Sequence, residues 1–207
     1  MDKQSGDIKK ILRILRKLYS HPQCALHYQK PFELLVAVIL SAQCTDKKVN
    51  QVTPLLFKKY PTIDAYAKAD PRVFEKDIYS TGFYRAKTKN ILAAAKYIKK
   101  EFNGKIPRTI KEMITIPGVG RKTANVVLGE LYGVSEGITV DTHVIRLARL
   151  LGLTAHKDAV KIERDLMNIV PPEDWIRFAH SLVLYGREYC PATRHDHSKC
   201  PLGKFYV

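Results

Sequence analysis

The stretch Ile116-Pro117-Gly118-Val119-Gly120-Arg121-Lys122-Thr123-Ala124-Asn125 constrains this chain more than any other, because it sets two glycines and a lysine between one helical segment and the next. Gly118 and Gly120 can take backbone angles closed to other residues, so the chain can reverse tightly and bring bare amide N–H groups against a phosphate. A turn of this kind grips a nucleic-acid backbone without reading its bases. Lys122 falls in the first turn of the following helix, where the partial positive charge of the terminus disfavours an ammonium. A lysine so placed is suited to act as a neutral amine, the form a Schiff-base nucleophile needs.

The rest of the chain reads as helix. Ile8, Ile11, Leu12, Leu15 and Leu18 recur at helical spacing across residues 7–19, and Pro22 closes that segment. The run from Phe32 to Gln43 is almost wholly apolar and too short to span a bilayer, which predicts a buried core helix that carries on toward Cys44. Further helices are expected at about 46–59, 71–79, 85–102, 109–114, 121–132, 142–151, 158–169 and 172–188, bounded by Pro, Gly, Asp or Thr. Nothing alternates with strand period, so the fold class is all-α, and 207 residues suffice for two lobes.

A formal net charge of +15, with the basic residues spread along the chain, points to a polyanionic partner, nucleic acid before others. A solvated lysine-rich surface accounts for the charge equally well when the charge is taken alone. The amino terminus lacks the apolar segment and cleavage site of a signal peptide. The expected location is therefore intracellular, cytoplasm and nucleoid, or nucleus in a eukaryote. Cys24, Cys44, Cys190 and Cys200 make no evident disulfide framework, which fits a reducing compartment. Nothing marks an oligomer interface or a membrane partner, and a monomer is expected.

Asp141, in Ile138-Thr139-Val140-Asp141-Thr142-His143-Val144, places a carboxylate at the start of a helix 19 residues after Lys122. Taken alone it reads as an N-cap. Together the glycine turn with Lys122, the downstream Asp141 and the segment Leu40-Ser41-Ala42-Gln43-Cys44-Thr45-Asp46 resemble the endonuclease III family of helix-hairpin-helix DNA glycosylases, from about residue 8 to residue 190.

The resemblance implies two helical lobes flanking a DNA-binding cleft: a six-helix barrel lobe at residues 24–134 with the helix-hairpin-helix, and a second lobe of residues 1–23 plus 135–207. It implies a bifunctional glycosylase and abasic-site lyase of base excision repair, acting on double-stranded DNA with oxidised pyrimidines or abasic sites and cutting 3′ to the lesion by β-elimination. Lys122 is then the nucleophile and Asp141 its carboxylate partner, facing each other across the cleft. The damaged nucleotide is rotated out of the duplex, since its glycosidic bond cannot be reached inside the stack. Gln43 fills the hole left behind, its amide offering donors and acceptors to the orphaned base. Phe83, in Thr81-Gly82-Phe83-Tyr84-Arg85, matches a second wedge, although by itself it reads as core.

Gly118, Val119, Gly120 and Arg121 hold the phosphate in this scheme, with Lys89 a further candidate, and the carbonyls of Ile114, Ile116 and Val119 match a monovalent-cation site. Ser41, Asp46 and His143 match the lesion pocket. Asp46 and Thr45 equally suit a helix cap, and His143 an ordinary surface position. Two other readings stay open: a related glycosylase for 8-oxoguanine or a mismatched base, and a helix-hairpin-helix protein that binds DNA without catalysis.

The chain departs from the family at its end. Most relatives bind a [4Fe-4S] cluster through four cysteines with six, two and five residues between them, whereas here those positions hold Cys190, His197, Cys200 and Tyr206. No iron-sulfur cluster is expected, and no other cofactor. Cys190, His195, His197 and Cys200 are ligand types that zinc accepts, but their spacing matches no familiar zinc pattern. The default expectation is a packed basic loop, with Arg194, His195, His197 and Lys199 near DNA phosphate and Phe205 or Tyr206 docked on the lobe.

Overall fold

A computed structural model describes residues 3–20, 22 and 24–207, the first four of them as backbone only. Residues 1, 2, 21 and 23 of the expected second lobe lie outside the described residues. Among the described residues there are eleven α-helices and no strand: α1 (Lys3–Leu18), α2 (Pro31–Ser41), α3 (Asp46–Lys59), α4 (Ile63–Ala67), α5 (Pro71–Ile78), α6 (Tyr84–Phe102), α7 (Ile110–Met113), α8 (Arg121–Tyr132), α9 (Thr142–Leu150), α10 (Ala159–Ile169) and α11 (Trp175–Glu188). The chain divides into two compact units, Cys24–Val134 and Met1–Gln23 with Ser135–Val207.

In the Cys24–Val134 unit, α2 is the axis of the core. All of its residues from Glu33 to Leu40 are buried, and α3, α6 and α8 pack against it. The buried Glu33 carboxylate accepts from the backbone N–H groups of Gln29 (2.8 Å) and Lys30 (3.1 Å), which satisfies donors at the start of the helix. Thr45, Thr62, Asp70 and Thr109 cap α3, α4, α5 and α7 in the same sense, each accepting a backbone N–H three residues on.

In the other unit the amino-terminal helix is stitched to the carboxyl-terminal half of the chain. Ile8, Ile11, Leu12 and Leu15 bury one face of α1 among Leu147, Ile162, Phe178 and Leu182. Each such side chain removed from water contributes about 1.5–3 kcal/mol, so this face outweighs helix propensity in holding α1. Arg16 pairs with the buried Asp174, and the Tyr19 hydroxyl donates to Glu188 at 2.9 Å.

Three local expectations change. The core helix stops at Ser41, because Ala42 leaves the helical region (ψ 115°) and Gln43 follows in a left-handed conformation (φ 53°) that no α-helix accommodates. Cys44 therefore lies half-buried in a turn, outside the core helix. The helix expected from residue 172 opens with a 3₁₀ turn over Pro172–Asp174 before α11, where Pro171 and Pro172 remove two backbone donors. Helix α4, with five residues, is too short to show a period and was not anticipated.

Candidate active site

The helix-hairpin-helix is built from α7, the turn at residues 114–120 and α8. Gly118 carries φ +77°, and a Cβ there would sit 2.5 Å from Cβ of Asn90 on α6, so both the turn and the packing demand glycine. Gly120 is the N-cap of α8 with ordinary extended angles, and a Cβ there would meet nothing within 4 Å. The turn is closed by Val119 N–H donating to the Ile116 carbonyl at 3.0 Å, with both side chains buried. Gly118, Gly120, Arg121 and Lys122 are all exposed, so the amide-rich face and both cations meet solvent.

Gln43 and Phe83 occupy two other turns of the same unit. Phe83 is 63 % exposed, so it is not the core residue its chemistry alone suggests. Both residues have positive φ, 53° at Gln43 and 46° at Phe83. For residues with a Cβ this conformation costs about 1–2 kcal/mol, a cost found where the surrounding structure over-determines a functional geometry. Beneath them lies Lys87, a residue that the sequence reading passed over. Its ammonium is 4 % exposed and donates to the Leu40 carbonyl at 2.8 Å and the Thr81 carbonyl at 2.7 Å. Leu40 precedes Gln43 by three residues and Thr81 precedes Phe83 by two, so one amine anchors both turns. Burial pushes the Lys87 pKa below its ordinary value.

The remaining candidates are distributed as follows. Ser41 is half-buried and its hydroxyl donates to the Val38 carbonyl at 2.9 Å. Asp46 is the first residue of α3, behind the Thr45 cap. Lys89 is exposed on α6. Asp141 and His143 belong to the other unit. The half-buried Asp141 caps α9, one oxygen accepting from Val144 N–H at 2.9 Å. The His143 ring lies against α11 at Gly186, where a Cβ would come within 2.6 Å of Nδ1.

Residues 36–172 match the HhH-GPD superfamily of base excision DNA repair proteins. Over 192 residues the chain is 50 % identical to an endonuclease III of Synechocystis, covering 93 % of this chain and 88 % of that one. The chain belongs to the endonuclease III family. An endonuclease III of Bacillus subtilis is 45 % identical over 89 % of this chain and 84 % of its own. A solved structure of a trapped endonuclease III–DNA covalent intermediate superposes with a TM-score of 0.91 at 40 % identity, over 98 % of this chain and 95 % of that one.

In this endonuclease III family member the chain beyond α11 folds into two 3₁₀ turns, His197–Lys199 and Gly203–Phe205. Cys190, His195, His197 and Cys200 converge there, with their ligand atoms all within 4.8 Å of one another, a group that could hold a metal ion. Phe205 and Tyr206 are half-buried against the core of this unit. The Tyr206 hydroxyl shares a 2.9 Å hydrogen bond with that of Tyr185, which in turn accepts from Leu202 N–H at 3.0 Å. No helix among the described residues is long and apolar enough to cross a membrane.

Proposed function

We propose that this chain is a bifunctional DNA glycosylase and abasic-site lyase of base excision repair, acting on double-stranded DNA. The observation that carries the reading is an exposed lysine in the first turn of α8, directly behind a glycine hairpin, in a chain 50 % identical to a named endonuclease III. The trapped covalent intermediate of a relative supports a covalent route.

In this reading the amides of Gly118 and Gly120, with Arg121, hold a DNA phosphate without reading sequence, while Val119 between them holds the turn closed through its N–H bond to Ile116. The carbonyls of Ile114, Ile116 and Val119 would face a monovalent cation beside it; Ile114 ends α7, where carbonyls lack helical partners. Gln43 and Phe83 enter the duplex as the damaged nucleotide leaves it, and Ser41, Asp46 and His143 line the pocket that receives the base. Oxidised pyrimidine is the expected lesion class.

The Lys122 amine attacks the sugar C1′, forming the C1′–Nζ bond as the glycosidic bond breaks and the base departs with a proton. The amine loses a proton and the sugar ring opens to a Schiff base. This imine acidifies the C2′ proton, which passes to water as the 3′ phosphate departs, and a second water then hydrolyses the imine to free the Lys122 amine and the unsaturated aldehyde. Asp141, as a carboxylate, stabilises positive charge on the sugar and receives the proton of the amine. The chemistry needs Lys122 and Asp141 at one sugar. Work on chromosomal DNA implies action in the cytoplasm and nucleoid of a bacterium.

An iron-sulfur cluster has no part in this reading, because the donors do not suit it. A [4Fe-4S] cube takes four thiolates, each on its own iron. Here two thiols and two imidazoles crowd within 4.8 Å, and Tyr206 at the fourth position is engaged by Tyr185.

Borohydride trapping on duplexes carrying thymine glycol or an abasic site tests the reading. An adduct on both substrates, lost in Lys122→Gln, is the expected result. An adduct undiminished in that variant moves the nucleophile elsewhere, and no adduct with either DNA leaves a monofunctional enzyme or a binding protein.

A further inference from the structure

The geometry points to a single zinc ion held by Cys190, His195, His197 and Cys200, in the place where relatives carry an iron-sulfur cluster. Its distances fit one ion. With Zn–S near 2.3 Å and Zn–N near 2.0 Å, tetrahedral ligands stand about 3.3–3.8 Å apart. Nε2 of His195 lies 3.4 Å from Sγ of Cys200, and Nδ1 of His197 lies 3.9 Å from Sγ of Cys190 and 4.0 Å from Sγ of Cys200. A two-iron cluster with the same donor set would bind the thiolates to one iron and the imidazoles to another, which separates the two pairs. Here His195 sits as near a sulfur as tetrahedral ligands of one ion do, and His197 stands within a few tenths of an ångström of that range, about equally far from both sulfurs. A donor set of two sulfurs and two nitrogens suits zinc over harder or larger ions.

The surroundings are those of a ligand set held in advance. Nδ1 of His195 lies 2.8 Å from the Thr193 carbonyl and donates to it, which fixes the tautomer and leaves Nε2 as the lone-pair atom turned toward Cys200. Arg146 of α9 reaches Cys190 from the other side, Nη1 donating to Sγ at 3.4 Å and Nη2 to the backbone carbonyl. Cys190 is 0 % and Cys200 5 % exposed, so the sulfurs lie under cover while the imidazoles close the site from the solvent side.

The spacing explains why the sequence alone hides the site. His197 and Cys200 occupy two of the positions that cysteines hold in relatives, whereas the fourth position holds Tyr206, whose hydroxyl bonds that of Tyr185 and whose ring packs edge-on against His197 at 5.2 Å. The missing ligand comes from His195, two residues before His197. Binding takes up one Zn²⁺ and releases the two thiol protons, leaving a neutral centre of two thiolates and two imidazoles. It closes the loop of residues 190–200 on the end of α11, and none of the four ligands takes part in the lyase reading.

The test uses the full chain, purified under reductant without added metal, with zinc and iron measured by mass spectrometry. One zinc and no iron per chain is expected. Removal of the metal by a chelator should lower the Tm by several degrees, and added zinc should restore it. Titration of the metal-free chain with Co²⁺ should give the visible bands of a tetrahedral site and a thiolate-to-cobalt charge-transfer band. The half-buried His195 can be changed with little risk to folding, and His195→Ala should weaken zinc binding at least tenfold and weaken the tetrahedral bands. Cys200→Ser should remove part of the charge-transfer intensity. Iron with acid-labile sulfide, a metal-free chain whose Tm ignores zinc, or zinc bound equally by wild type and His195→Ala would each overturn the assignment.

Discussion

The buried ammonium of Lys87 donates to the main-chain carbonyl of Leu40 across 47 positions of sequence at 2.8 Å. A second bond from the same nitrogen reaches Thr81. Lys87 thus sets the register between the turn that carries Gln43 and the turn that carries Phe83.

Lys87→Met keeps the unbranched side chain up to the ε position and removes its donors, leaving two buried carbonyls unpaired. The expected loss is about 2 kcal/mol, net of the relieved desolvation of the charge. Denaturant unfolding measures it, and hydrogen exchange should quicken at residues 40–44 and 79–83.

The same lysine gives a pH signature. Burial holds its folded pKa below the ordinary 10.5, so between the two values the unfolded chain binds more protons than the folded one. Stability from this group therefore rises with pH across that window, and below it the desolvation penalty is present in full. The difference in unfolding free energy between wild type and Lys87→Met, followed upward from neutral pH toward 10.5, isolates it from the tyrosines.

The two hairpin glycines should respond differently. Gly118→Ala meets both a positive φ and the Asn90 side chain, and should destabilise the fold by about 1–3 kcal/mol while weakening binding to duplex DNA. Gly120→Ala has room and ordinary angles, so its Tm should stay within a few degrees of wild type. Thermal melts and fluorescence anisotropy on the pair decide it.

Gln43→Gly relieves the left-handed strain and should stabilise the chain by about 1 kcal/mol. If Gln43 fills the space left by the flipped base, excision from duplex DNA should fall while borohydride trapping on a single-stranded abasic oligonucleotide is kept. A rise in Tm with lost duplex activity is the expected pairing.

Asp141→Asn separates the cap from the chemistry, because asparagine caps a helix as well as aspartate. Stability should move by less than about 0.5 kcal/mol. Single-turnover base release should slow about 100-fold or more, the scale of losing one charge-stabilising group in a site.

Much of this was legible along the chain. Gly118 announces the hairpin because the backbone angle it requires is a local property, whereas Gly120 takes angles open to any residue. The helices show themselves through apolar period and caps, and α8 begins and ends where the sequence places it. Lys87 left a fainter mark: it shares the buried stripe of α6 with Thr88, Ile91, Ala95 and Ile98, so a lysine on an apolar face was visible before its partners were. Phe83 by its own chemistry reads as core and only the family resemblance makes it a wedge, because exposure depends on what the rest of the unit covers.

The sequence by itself determined an all-helical chain with a glycine hairpin and a lysine at the start of a helix, since propensity, capping and glycine conformation act over a few residues. Only the tertiary structure decided that Lys87 has two carbonyls to bond and that Gln43 and Phe83 are held with positive φ. It also brought two histidines and two cysteines to within 4.8 Å of one another. Those facts rest on side chains meeting after the chain has folded on itself, where distance is set by the packing of helices and no longer by spacing along the sequence.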